Sequence, residues 1–172
     1  MELFEAIAKR ASYRGAYTDD PVKQEDLEKI LDAAIKAPSG KNLQTTTFVV
    51  VRNPELKEKI AELFAYPCVK QAPVLLVMLG EPVDAGGKFG TFEIEDYAAA
   101  TENVLLAITA LGYASVWLDG MTRGDGADEK IRAILELPEK YHVRTVLPIG
   151  VPAEAVSGHG RKSAEERVIW KD

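Results

Sequence analysis

Cysteine occurs once in the 172 residues, as Cys68, and histidine only twice, as His142 and His159. A single thiol excludes an internal disulfide framework and a cysteine cluster for zinc or iron-sulfur binding. Two histidines without a nearby set of acidic or sulfur ligands do not make a metal centre. Cys68, set between Pro67 and Val69, is expected to be core filler. Positive charge is also in deficit: 21 Lys and Arg stand against 27 Asp and Glu, for a net charge of -6. That balance disfavours a nucleic-acid backbone as partner, so any bound anion must be met by local basic residues. Long apolar runs are missing too; Pro73 to Leu79 is far too short for a membrane-spanning helix. Met1 to Arg10 mixes charged with apolar residues and lacks the apolar stretch of a signal peptide, so a cytoplasmic location is expected.

What remains is the composition of one globular domain over residues 1–172: 47% hydrophobic and 28% charged, without low-complexity tracts or repeats. Leu3, Phe4, Ile7 and Ala8 recur at helical spacing, and Gln24 to Ala37 carries Leu27, Ile30, Leu31, Ala34 and Ile35 on one face before Pro38 ends it. Phe48 to Val51, Val74 to Leu79, Ala114 to Leu118 and Val143 to Ile149 are predicted strands. Helices are predicted over Glu55 to Phe64, Ile94 to Leu111 and Ala127 to Leu135, the second of them buried on several sides. Alternating helices and strands, taken by themselves, suggest a doubly wound parallel sheet. Beyond Gly150 the chain has too little apolar content for a core of its own.

Several short motifs carry donor groups. Arg10-Ala11-Ser12-Tyr13-Arg14 brings two guanidinium groups and a hydroxyl together at the end of the first helix, a set suited to a phosphate. Cations at a helix C-terminus also simply complement its dipole, and taken alone that plainer reading is the stronger one. Pro38-Ser39-Gly40-Lys41-Asn42-Leu43-Gln44 offers two side-chain amides able to read a ring edge, or else is an ordinary polar loop after a helix. Its Gly40-Lys41 pair is not a nucleotide P-loop, because the earlier glycine is missing and Asn42 stands where Ser or Thr should be. Asp119-Gly120 closes a strand where loops commonly meet ligands, although an Asp-Gly turn needs no ligand to explain it. Arg161 belongs to a further basic pair in the tail.

In their order these motifs resemble the nitroreductase family. Arg10 to Arg14, Asp20-Pro21-Val22, and Ala37 to Gln44 ahead of Phe48-Val49-Val50-Val51 are similar to its amino-terminal half. The likeness continues through Gln71-Ala72-Pro73, Glu102-Asn103-Val104-Leu105-Leu106, Gly112 to Trp117, Leu137-Pro138-Glu139, Ile149 to Glu154 and the tail arginine. The resemblance implies an α+β, three-layer fold in which a mostly antiparallel sheet is flanked by helices, with the C-terminal tail exchanged in a homodimer. It implies a flavin mononucleotide (FMN) site at the interface, with NADH or NADPH as electron donor. By the resemblance, Arg10, Ser12 and Arg14 meet the phosphate and, through one arginine, the pyrimidine side of the ring, and Arg161 returns to the phosphate. Pro38, Ser39 and Asn42 reach the flavin of the other subunit, with Gln44 near the ring edge, and Asp119 and Gly120 offer backbone N–H groups near flavin N5. The implied activity passes hydride through N5 to a nitroaromatic, quinone or similar small acceptor, with no catalytic side chain. A flavin-storage or regulatory protein, or a narrower enzyme of reductive dehalogenation or flavin fragmentation, are the alternatives. Two departures stand out: Thr45-Thr46-Thr47 follow Gln44 where relatives carry Pro and an aromatic residue, and Gly80 to Asp96 is too short for the helical insertion of larger relatives.

Overall fold

The computed structural model describes residues 1–171. Strands β1 (Thr46–Val51), β2 (Val74–Gly80) and β3 (His142–Ile149) form an antiparallel sheet in the order β1-β2-β3. β2 is central and its run Val-Leu-Leu-Val-Met-Leu is buried on both faces, as the two-residue side-chain period requires. Val74, Leu76 and Met78 face α2 (Gln24–Ile35) and α5 (Glu93–Ala110), meeting Leu27, Ile30, Val104 and Ile108. Leu75, Val77 and Leu79 face α3 (Pro54–Ala61), α4 (Pro67–Gln71) and α6 (Ala127–Ile134), meeting Ile60, Val69 and Ile131. The result is the three-layer α+β arrangement, not a doubly wound parallel sheet. Cys68 is fully buried in the second layer, and burial pushes its thiol pKa up.

One expectation needs correction. Ala114–Leu118 is not a regular strand but touches β3 through two antiparallel bridges, Ala114 with Gly150 and Leu118 with Val146. By the same register Val116 lies opposite Pro148, which has no N–H to donate. The Pro148 carbonyl is taken instead by the buried hydroxyl of Tyr17, which donates to it at 3.1 Å. The middle rung is therefore lost and the ladder is interrupted.

The helix expected at the start of the chain is present as α1 (Leu3–Lys9). Its apolar residues do not form a core face: Ala6 alone is buried, while Leu3, Phe4 and Ile7 are 61%, 83% and 50% exposed. At the other end, a four-residue helix α7 (Ala164–Arg167) starts with a capping box in which Ser163 and Glu166 bond reciprocally. It leads to Val168, Ile169 and Trp170, which are all exposed.

Candidate flavin site

The chain leaves α1 at Arg10 in an extended conformation and runs beside the Ala114–Leu118 segment. Ser12 and Ser115 form a parallel bridge, and the Tyr13 N–H donates to the Ser115 carbonyl at 2.9 Å. Extended backbone alternates side chains, so Tyr13 turns inward against Tyr17, with ring centroids 5.5 Å apart, while Ser12 and Arg14 turn out to solvent. Arg14 lies over the Tyr66 ring at 5.5 Å and pairs with no carboxylate among the described residues. The Ser12 hydroxyl likewise has no protein partner among them. Arg10 is largely covered and makes one loose ion pair, its Nε 3.7 Å from Oε1 of Glu102 on α5.

The segment under this loop ends at Asp119 and Gly120. Trp117 packs edge-on to Tyr97, with centroids 6.4 Å apart. The Asp119 carboxylate is held by Arg123 at 2.6 Å, and Thr122 donates to the Asp119 carbonyl at 2.7 Å. The backbone N–H groups of Asp119 and Gly120 donate to no protein atom among the described residues, so they remain available to a ligand.

The Pro38–Gln44 loop follows α2 and tightens into a 3-10 turn over Gly40–Asn42. Lys41, Asn42 and Gln44 all have positive φ, at 50°, 56° and 52°. Left-handed backbone costs a non-glycine residue roughly 1–2 kcal/mol, so the surroundings must impose this shape. They do so from three sides. Ser39 Oγ accepts from the Gln44 N–H at 3.1 Å. Asp96, buried in the first turn of α5, accepts from the Gly40 N–H and from the Thr45 hydroxyl, each at 2.7 Å. Phe92 covers Gly40 so closely that a Cβ there would stand 2.3–2.5 Å from its side chain. The Gly80 to Asp96 segment is thus short yet packed onto this loop: Lys41 donates to the Ala85 carbonyl at 2.6 Å and lies 4.5 Å from the Phe89 ring centroid. Behind the loop is a groove of about 370 Å³, lined by Pro38, Ser39, Gln44, Thr46, Thr47 and Phe48 among others.

The structure therefore joins Arg10, Ser12 and Arg14 to the segment ending in Asp119 and Gly120, and places Pro38, Ser39, Asn42 and Gln44 at the start of α5. Arg10 touches that helix at Glu102, six residues beyond Asp96, about 9 Å of helical rise away. Among the described residues Arg161 is not brought to either group; its guanidinium donates to the carbonyls of His159 and Gly160.

Sequence reasoning missed Asp96 and a second buried carboxylate in the same turn, Glu93, which is ion-paired with Arg144 of β3. Acidic residues in a first turn complement the helix dipole and are read as exposed for that reason. The usable signal was their position on a helix otherwise apolar nearly all round. Among the described residues no group of acidic, histidine or cysteine side chains is arranged to hold a metal, and no helix is long and apolar enough to cross a membrane.

Comparison with known proteins agrees with this architecture. A protein of Methanothermobacter thermautotrophicus, provisionally named an NADH dehydrogenase/NAD(P)H nitroreductase, is 38% identical over 155 residues, covering 90% of this chain and 79% of its own. One of the same provisional name from Archaeoglobus fulgidus is 36% identical over 154 residues, covering 89% and 87%. Among solved structures, a provisionally named nitroreductase from Desulfovibrio desulfuricans, in complex with FMN, superposes with a TM-score of 0.84 at 28% identity, covering 100% of this chain and 98% of the other. The model of the nitroreductase family matches residues 7–67 and 62–151, and with the layered antiparallel fold this establishes that the chain is a member of the nitroreductase family.

Proposed function

We propose that this protein is an NAD(P)H-linked, FMN-dependent oxidoreductase of small acceptors such as nitroaromatics or quinones, acting as a homodimer. The observation that carries the proposal is the donor row on one extended stretch of chain: Ser12 and Arg14 face outward, Arg14 resting on the Tyr66 ring and neither side chain bonded to a protein acceptor among the described residues, beside a segment whose terminal N–H groups are likewise unbonded among them. In an acidic protein such a set fits a dianionic phosphate joined to a ring that accepts hydrogen bonds. The FMN held by the Desulfovibrio relative and the nitroreductase names of the archaeal relatives support the same reading.

When bound, FMN supplies hydride chemistry at N5. The protein's part is to bind and orient. Arg10 and Ser12 would meet the phosphate, and Arg14, the arginine of the pair assigned to the pyrimidine side, would place a positive charge where it stabilises negative charge on the ring. Asp119 and Gly120 present backbone donors toward N5, while the Asp119 carboxylate is kept aside by Arg123.

Assembly as a dimer gives the remaining groups a place. Pro38, Ser39, Asn42 and Gln44 meet the flavin held by the other subunit, and Arg161 reaches the phosphate from the tail. The outward apolar residues of α1 and the tail's Val168, Ile169 and Trp170 supply surface for a two-fold contact.

The test is direct. Purified protein should release a flavin on denaturation that chromatographs as FMN, oxidise NADH or NADPH under anaerobic conditions, and pass the electrons to members of an acceptor panel. Failure to bind FMN, or recovery of FAD, would overturn the assignment; bound FMN without nicotinamide oxidation would leave a flavin-binding protein in place of an enzyme.

A further inference from the structure

We infer that Asp96 is the positioning residue of the cofactor site: its carboxylate clamps Gly40 and Thr45, the residues flanking the strained Lys41 to Gln44 stretch, and so fixes the surface offered to the flavin ring. This rests on the proposed flavin function. The clamp spans the left-handed stretch, since one carboxylate oxygen accepts from the Gly40 N–H and the other from the Thr45 hydroxyl, each at 2.7 Å. Asp96 is 3% exposed and Thr45 4%, so the bond between them is shielded from water, and the Gly40 bond is half-buried beneath Phe92. Asp96 pairs with no basic side chain among the described residues, and its charge is met by these two donors and by its place in the first turn of the 18-residue α5.

The other anchors of the loop act elsewhere. Ser39 Oγ bonds within the loop, and Lys41 bonds to the exposed Ala85 region. Asp96 alone among these ties both ends of the strained stretch to a helix spanning the core. Phe92 still covers Gly40 without it, but packing alone does not fix the backbone on both sides of Lys41, Asn42 and Gln44, and those residues relax away from the geometry in which Ser39 and Asn42 face a ligand.

Because the loop meets the ring and not the phosphate, the inference predicts an effect independent of the phosphate. Flavin binding is measured by fluorescence quenching with FMN and with riboflavin, on apoprotein whose far-ultraviolet circular dichroism and melting temperature are recorded in parallel. Asp96→Ala should weaken both ligands by a similar factor, about tenfold or more, well below its melting temperature. Asp96→Asn, which can still accept from Gly40 and bond Thr45, should stay within about threefold of wild type. Thr45→Val, removing one arm of the clamp without a charge change, should give an intermediate loss of about threefold to tenfold; it also serves if Asp96→Ala does not fold. Glu93→Gln, altering the other buried carboxylate of the same turn, should leave affinity within twofold.

FMN binding within twofold of wild type in both Asp96→Ala and Thr45→Val would overturn the inference. So would an Asn variant as weak as the Ala one, a loss confined to FMN, or an equal loss in Glu93→Gln, which would mark a general loosening of the helix end. Wild-type protein that binds neither flavin would instead sink the functional reading on which the inference stands.

Discussion

Tyr17 joins three parts of the molecule: its ring packs at a tilt against Tyr13 and would meet any Cβ added at Gly150, and its hydroxyl donates to the Pro148 carbonyl. Burial, aided by the nearby Cys68 and Tyr13, raises its pKa far above the ordinary value near 10. A group raised in the folded state contributes stability that is complete below the unfolded value and is lost as pH rises through the folded one. The protein should therefore lose thermal stability above about pH 10, with the buried Cys68 thiol acting in the same direction. Tyr17→Phe should lower the melting temperature at neutral pH, by a loss of about 1 kcal/mol for one buried hydrogen bond. The variant's melting temperature should also fall less than wild type's between about pH 9 and 11. A parallel decline would assign the alkaline sensitivity to other groups. At the flavin site, Arg14→Ala should weaken FMN and lower the potential of what remains bound, whereas Arg161→Ala should weaken binding with little change in potential. Spectroelectrochemical titration of the two variants checks this, and equal shifts would mean the two roles are wrongly assigned.

Among the elements, β3 and its irregular neighbour depend on a close approach at Gly150. An added Cβ would stand 2.6 Å from a Tyr17 ring carbon and 2.9 Å from Pro73 Cδ, and neither ring can move without disturbing the core. Gly150→Ala should destabilise by about 1–3 kcal/mol, the range of overpacking in a filled core, measured by urea unfolding. The same region shows what periodicity conveys and what it does not. The run Val74 to Leu79 announces a central strand because nothing polar interrupts it, and the Gln24–Ile35 helix is legible from its apolar face. Ala114–Leu118 looks like a strand by the same criterion, yet its pairing is decided by Pro148, 32 residues away in sequence, and by the Tyr17 hydroxyl. Tertiary partners of that kind leave no periodic trace. The candidate site divides likewise. Arg10, Ser12 and Arg14 stand within five residues of one another, so a donor cluster is legible even though the motif alone favours the plainer dipole reading, whereas Asp96 acts on a loop more than fifty residues before it. The α1 residues Leu3, Phe4 and Ile7 have the spacing of a core face but point outward. Apolar spacing shows that a face seeks burial, not which surface will cover it.

For the whole molecule, the exposed apolar residues at both ends of the chain carry the prediction about assembly. Sedimentation of the full chain should show a dimer that tightens when FMN is added, since a ligand held by both subunits stabilises only the assembled state. Deleting Ala164 to Asp172 should weaken the dimer and FMN affinity together, although Arg161 and the other proposed flavin contacts are kept. A monomer that retains FMN tightly at dilution would overturn the shared site. The tail also bears on the order of folding and assembly. Its last backbone bonds to the layered body are from Ala153 to Ala16 and from Glu154 to the Tyr13 hydroxyl. From His159 to Lys171 its hydrogen bonds are all local, as in the Ser163–Glu166 box. Every strand and both helical layers precede that point, so the body needs none of the contacts of the segment from His159 to Lys171 in order to fold. On the proposed dimer, the tail then meets a body already shaped to receive it, and pairing follows folding as a separate, concentration-dependent step.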